Sequence, residues 1–411
     1  MRRRLGRARI LLLCLALAAC GRDATAPPSA PGILSRTPVA GATGVAITGA
    51  VHVVFRWPVT LPADTQAAVW VERGGVRIPT RVSRPDARTV VLTPLDAFDA
   101  GTIHTVHLGP GITFADGLAA TTQWSFTTAG LPLPDLAGSR LLAHVTALAH
   151  DSMRGRRYGS PDELRAAGYI QAELVRYGLT ALTGDAWFQS FTDVRFPGTS
   201  QNVVGVLRGT GSLRDEWVLI GAHYDHVGVV DDMIHNGADD NASGTAALLE
   251  LARALAAHAA ADGFGSPDRR SLMFIAFGAE EAGLVGSYHF CQEPLVPLAS
   301  VSAMLNLDMI GRLRSGTLYL AGALPDGVWT GLLARYEPGL TYVPLSYIGS
   351  DHRCFLQRGR PALALFTGSH PQYHQPEDDA ELVDVPGMTL VAWLALRLAA
   401  HLAVRPEPIG P

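Results

Sequence analysis

Five separated segments of this 411-residue chain each carry one side chain of a type that binds divalent metal. They are His223 in GAHYDH, Asp240 in GADDNASG, Glu281 in GAEEAGLVGS, Asp308 in NLDMIG and His374 in QYHQPEDD. Two imidazoles and three carboxylates exceed what one four-coordinate zinc ion takes. Shared around one bridging carboxylate, they suit two ions. Glu280 stands directly beside Glu281, and neighbouring side chains diverge, so one acid can bind metal while the other faces a substrate. The chemistry this set can perform is metal-assisted hydrolysis.

Each segment also has a plainer reading. A lone histidine at a strand end is usually a satisfied polar residue. Adjacent aspartates before a helix can be a cap and turn, with Ser243 opening the helix. Two glutamates after a strand can be solvated acids in a first helical turn. What favours a common site is the run of apolar segments that precede these residues. WVLIGAHYD (217–225), LMFIAFGA (272–279), SAMLNLDM (302–309) and PALALFTG (361–368) read as buried strands, joined by NVVGVLRG (202–209) and TLYLAG (317–322). Between them, residues 161–178, 243–258, 283–291, 328–336 and 388–402 read as helices. Alternating strands and helices imply a three-layer αβα sandwich with a largely parallel, mixed central sheet. Ligand sites in such sheets gather beyond the carboxyl ends of the strands, where these residues fall. Asp225, two residues past His223, is expected to hold the second ring nitrogen of that imidazole. His226 reads as a structural or supporting residue. No HExxH helix occurs, which argues against a thermolysin-like site.

The amino-terminal part has another texture. From about residue 32 to residue 130, short alternating runs at 51–55, 67–72, 88–94, 102–108 and 122–128 predict an all-β sandwich. His104 and His107 are three apart in one of these strands, so they point to opposite faces and make a poor metal pair. Residues 131–140 read as a proline-punctuated linker, and residues 141–411 as the catalytic domain. Residues 1–20 read as an export signal: arginines, an apolar run too short to span a bilayer, then Cys20. Residues 21–31, rich in Pro, Ala and Ser, fit a flexible tether. Cys291 and Cys354 remain after the signal. Export permits their pairing, but sequence cannot show that their Cα atoms are close enough.

The formal net charge is -4, and no basic cluster suggests nucleic-acid binding. Membrane contact is expected only through a lipid on Cys20, because LAAC at 17–20 resembles a bacterial lipoprotein box. The expected location is an exported, membrane-anchored lipoprotein of the outer membrane, cell surface or periplasm. Oligomeric state is left open.

Taken together, the five segments in this order resemble the zinc-dependent aminopeptidases of the aminopeptidase Y and bacterial leucyl aminopeptidase type, from about Leu141 to Leu402. The segment RTPVAGATGVAITGAVHVVFRWPV and the closing WSFTTAG resemble bacterial immunoglobulin-like modules. The first resemblance implies two zinc ions per chain. His223 and Asp308 would bind one, Glu281 and His374 the other, and Asp240 would bridge them. It also implies a cis peptide at Asp240-Asn241, Glu280 as general base, and a tyrosine supporting the oxyanion. For that tyrosine, Tyr373 beside the last ligand is preferred over Tyr347. The implied substrate is a peptide or protein N-terminus. Alternatives on the same scaffold are a one-zinc glutaminyl cyclase, a carboxypeptidase or dipeptidase using Arg312, Arg314 or Arg353, and a non-catalytic surface binding protein.

Overall fold

The computed structural model describes residues 32–115, 121–322, 327–337, 339–346 and 348–409. The export signal, Cys20, the 21–31 tether and Tyr347 lie outside the described residues.

Alternation in the amino-terminal runs becomes two antiparallel four-stranded sheets. One orders Ile33–Thr37, Val51–Phe55, Thr89–Pro94 and Thr80–Asp86; the other orders Thr122–Thr127, Ile103–Leu108, Val69–Arg73 and Val76–Ile78. Val51, Val53 and Phe55 of one sheet and Val69, Val71, Val106 and Phe126 of the other are buried in the shared core. The run at 67–72 starts later than its apolar residues suggested. Asp64 caps a short helical turn, Thr65–Ala68, by accepting the N–H groups of Gln66 and Ala67, so the strand begins at Val69. His104 is buried against Phe98 and Phe126, whereas His107 stacks on Trp70 from the other face.

The carboxy-terminal part is built on an eight-stranded mixed sheet. Its order is Phe188–Asp193, Phe196–Leu207, Ser271–Phe277, Trp217–His223, Val301–Leu307, Ala362–Phe366, Thr317–Ala321 and Thr341–Leu345. The four central strands run parallel to their neighbours in that group. Every residue of Trp217–His223 is buried, as expected for a strand covered on both faces. Period-two alternation sorts its side chains. Val218, Ile220 and Ala222 join the core under the helices Gly244–Ala260 and Val385–Val404, whereas Trp217 and Leu219 face Phe290 and Phe355. The helix Val385–Val404 is apolar enough to cross a membrane, yet most of it is buried in this core.

Several elements depart from the sequence reading. A helix, Gly138–Leu148, starts inside the segment read as linker, because Leu141, Val145 and Leu148 form a buried stripe against the helices Gly244–Ala260 and Val385–Val404. The edge strands Phe188–Asp193 and Thr341–Leu345 also went unread, since neither is a continuous apolar run. Cys291 and Cys354 form a disulfide, with Cα atoms 6.1 Å apart. It ties the helix Val285–Gln292 to the helix His352–Gln357.

The two parts meet through charge as well as apolar packing. Asp99 of the β-sandwich accepts hydrogen bonds from Arg335 at 3.1 Å and from the Tyr336 hydroxyl at 2.9 Å, and also pairs with Arg73.

Candidate metal centre

All five ligand candidates are carried to the carboxyl edge of the central parallel strands. His223 ends Trp217–His223, and Asp308 follows Val301–Leu307 directly. Glu280 and Glu281 lie just beyond Ser271–Phe277, and His374 lies in the loop after Ala362–Phe366. Asp240 sits in the irregular turn that leads into the helix Gly244–Ala260, and its peptide bond to Asn241 is cis.

The side chains form two groups that share Asp240. His223 Nε2 lies 3.4 Å from Asp240 Oδ1 and 3.5 Å from Asp308 Oδ1. His374 Nε2 lies 3.0 Å from Asp240 Oδ2 and 3.1 Å from Glu281 Oε2. A tetrahedral ion with bonds of about 2.0 Å has ligand–ligand edges of about 3.3 Å. The two oxygens of Asp240 therefore point to different candidate cation positions, each surrounded by ligand atoms at compatible spacing.

Charge around these residues also fits cations. Burial pushes the Asp240 carboxyl up, and the neighbouring Glu281 pushes it the same way. Burial, with Asp351, Asp308 and Glu281, holds Glu280 well above the usual carboxylate range against the opposing pull of His223. Burial would depress His374, but the Asp240 and Glu281 carboxylates override it and raise the imidazole to about 10. The Asp240 and Glu280 carboxyls and the His374 imidazole are thus all pushed toward their protonated forms, because negative groups crowd around too little positive charge. His374 Nε2 is buried without a hydrogen-bond partner, as a ligand nitrogen would be. The residues present fit divalent metal.

Asp225 acts differently from expectation. Its carboxylate does not take the second ring nitrogen of His223, which lies 3.3 Å from the Asp225 main-chain oxygen and 3.7 Å from Oδ1. Instead Oδ1 accepts the backbone N–H of Glu280 at 2.9 Å, and Oδ2 that of Glu281 at 3.2 Å. The Asp225 carboxylate thus ties down the main chain at both glutamates. Ser243 does not cap the helix. Its hydroxyl donates to the Asp239 main-chain oxygen at 2.7 Å, and Asn241 Oδ1 accepts the Gly244 N–H at 3.0 Å. Asn241 also accepts from Met309 N, which joins the Asp240 turn to the Asp308 loop.

Three residues matter more here than their sequence context suggested. His226 Nδ1 lies 3.0 Å from Glu281 Oε1 and 3.7 Å from Asp240 Oδ2, inside the second group. Asp378 Oδ2 accepts the backbone N–H groups of Asp239 and Asp240, at 2.9 and 3.0 Å, while Oδ1 pairs with Arg312 at 3.0 Å. Arg156, fully buried, donates to the main-chain oxygens of Tyr224, Asn236 and Gly237, bracing the strand end after His223 and the turn before Asp240. A buried arginine surrounded by main-chain oxygens has no local sequence signature. The HYDH and PEDD strings were the available signals for the other two.

Tyr373 is 42% exposed and stacks on the His374 ring with centroids 3.9 Å apart. Burial and the neighbouring carboxylates raise its phenol, so the hydroxyl stays a hydrogen-bond donor. It lines a cavity of about 230 Å³ with His223, Asp240, Glu280, Glu281 and Asp308, closed by Met309, Leu345, Ile348 and Phe366. A wider groove of about 700 Å³ opens on the other side of Glu280 and Glu281.

Residues 202–399 match the model of peptidase family M28, and residues 27–128 match that of a bacterial Ig-like domain. Over residues 202–399 the chain is similar to peptidase family M28. Among its relatives, aminopeptidase YwaD of Bacillus subtilis is 33% identical over 196 residues, 44% of this chain and 40% of that protein. The chain thus spans about two-fifths of the length of that relative. Leucine aminopeptidase 1 of Ajellomyces dermatitidis is 27% identical over 312 residues, 71% of this chain and 77% of that protein. The solved aminopeptidase from Aneurinibacillus sp. strain AM-1 superposes on this chain with a TM-score of 0.51 at 19% identity, covering 66% of this chain and 95% of that one. That likeness concerns the fold. The large mixed central sheet and the amino-terminal β-sandwich match the fold class expected from the sequence.

Proposed function

We propose that this chain is a zinc-dependent aminopeptidase that hydrolyses the first peptide bond of a peptide or protein. The observation that carries the proposal is the bifacial Asp240, with a histidine and a second carboxylate against each oxygen. The assignments are His223 and Asp308 to one zinc, Glu281 and His374 to the other, and Asp240 to both. His226 is a further donor to the second position. Bound zinc would supply Lewis acidity to the scissile carbonyl and lower the pKa of water in the site.

The chain's own residues supply the remaining steps. Glu280 takes a proton from the attacking water and returns it to the leaving amine. Asp225 fixes the backbone of Glu280 for that transfer, and Asp378 fixes that of Asp240. The Tyr373 hydroxyl donates to the developing oxyanion. Met309, Leu345, Ile348 and Phe366 support an apolar N-terminal side chain in the closed cavity. A cavity of that size accepts one residue, which favours an exopeptidase.

The glutaminyl cyclase alternative needs one zinc, and the shared Asp240 favours two. For a carboxypeptidase, Arg312 is committed to Asp378, and Arg314 is exposed away from both cavities. The Ig-like domain supports a surface or extracellular protein, with Cys20 as the lipid-bearing anchor in this proposal. The test is a panel of aminoacyl p-nitroanilides with free or acetylated amines, with chelator and with zinc restored. Zinc-dependent cleavage of the free-amine substrates alone is the expected result. Equal cleavage of acetylated substrates would reject the assignment.

A further inference from the structure

We infer that the cavity between the amino-terminal β-sandwich and the carboxy-terminal part binds a neutral two-ring molecule carrying one N–H or O–H group, of the indole or naphthol class. The inference does not rest on the aminopeptidase reading, because this cavity and the candidate metal centre share no lining residue. His258 in its wall lies near the end of the helix Gly244–Ala260, whose start follows the Asp240 turn. At 1.5 Å of rise per residue, the two places are roughly 20 Å apart.

Both parts of the chain build the wall. Ile47 and Phe98 come from the amino-terminal part; Phe264, Tyr336 and Trp393 come from the carboxy-terminal part. Trp393 is half-buried and the other four are buried. The cavity has a volume of about 300 Å³. An apolar cavity of about 150 Å³ holds benzene, so this one has room for two fused rings. Small-molecule sites favour such aromatic-lined spaces between domains, with a few polar groups that fix orientation.

The buried charges in the wall already have partners. Arg73 pairs with Asp99, which also accepts the Tyr336 hydroxyl. Arg397 pairs with Glu337 at 3.0 Å and donates to the Tyr336 main-chain oxygen. His401 Nδ1 lies 2.8 Å from the Tyr336 hydroxyl, and Asp135 is exposed to water. His258 differs. It is 4% exposed, packs edge-on against Phe264 with ring centroids 4.8 Å apart, and has no hydrogen-bond partner among the described residues. Burial, then the nearby Arg269, pushes its imidazole down to about 4, so the ring is neutral and offers one donor and one acceptor. A buried polar group without a partner is costly. A ligand N–H or O–H would satisfy the imidazole while its rings cover the apolar wall. An ionic ligand would lose its hydration without gaining a free counter-charge.

The test is isothermal titration of the full chain with indole, 1-methylindole and indole-3-carboxylate, in wild type, His258→Phe and Ala400→Trp, with folding checked by circular dichroism. Wild type should bind one indole per chain with a Kd below about 1 mM, a modest affinity for its size. 1-Methylindole lacks the N–H and should bind about two- to tenfold more weakly, the usual worth of one neutral hydrogen bond. Indole-3-carboxylate should bind at least ~10-fold more weakly. His258→Phe should remove the difference between indole and 1-methylindole. Ala400 lines the cavity, so Ala400→Trp fills it and should abolish binding. Absent indole binding in wild type, tighter binding of the carboxylate, or undiminished binding in folded Ala400→Trp overturns the inference. Should that variant not fold, an indole preference left intact by His258→Phe overturns it. Loss of indole binding in the presence of saturating Leu-Ala-Ala, measured in Glu280→Gln, would place the ligand at the metal centre and overturn it as well.

Discussion

Asp225 holds Glu280 by its backbone: one carboxylate oxygen accepts the Glu280 N–H at 2.9 Å while the other accepts that of Glu281 at 3.2 Å. One acid thus sets the spacing between the proposed base and its neighbouring ligand. Asp225→Asn replaces one acceptor with a donor facing an N–H. We expect kcat to fall roughly 10–100-fold, the range for residues that orient a metal site. Steady-state kinetics with zinc analysis on the same sample checks this.

Glu280 itself is assigned to proton transfer. Glu280→Gln keeps the size and the backbone contacts but cannot accept a proton. Turnover should drop at least ~100-fold with zinc content retained. Near-normal turnover would move the base elsewhere in the site.

Asp378 joins the His374 loop to the Asp240 turn and neutralises Arg312, which is 7% exposed. Asp378→Ala leaves that guanidinium buried without its carboxylate. The expected destabilisation is about 3–5 kcal/mol, as for other broken buried ion pairs, measured by urea unfolding.

Much of this site could be read before any coordinates, and particular residues show why. His223, Glu281 and Asp308 follow uninterrupted apolar runs, and a parallel sheet delivers the ends of such runs to one edge. The parts that escaped depend on backbone turns. His226 approaches Glu281 through a bend after the strand, which parity along HYDH does not reveal. Asp378 looks like one acid in a solvated PEDD run, yet is wholly buried. Asp225 was credited to the His223 ring, because two-residue spacing suggested a shared face. Its carboxylate instead turns to the N–H groups of another strand's loop. The closeness of Cys291 and Cys354 likewise depends on how the two helices pack.

Glu163 gives the fold a pH signature. It is wholly buried, and its carboxyl is raised to about 8, first by burial and then by Asp225, against hydrogen bonds from Ser200 and Gly159. A folded-state value above the unfolded value of about 4.5 means that protonated Glu163 favours the native state. Its contribution is fully present below about pH 4.5 and is lost as pH rises toward 8, on the order of a few kcal/mol. Glu163→Gln can keep both contacts and should flatten the pH dependence of unfolding between pH 5 and 8. A variant whose stability falls as steeply as wild type over that window would contradict the assignment.

The most direct measurement of the central claim is zinc stoichiometry by elemental analysis, in wild type and in Asp240→Ala. A carboxylate shared by both positions predicts about two zinc ions per chain in wild type and weakened retention of both in the variant. One tightly held ion per chain that survives loss of Asp240 would contradict the account.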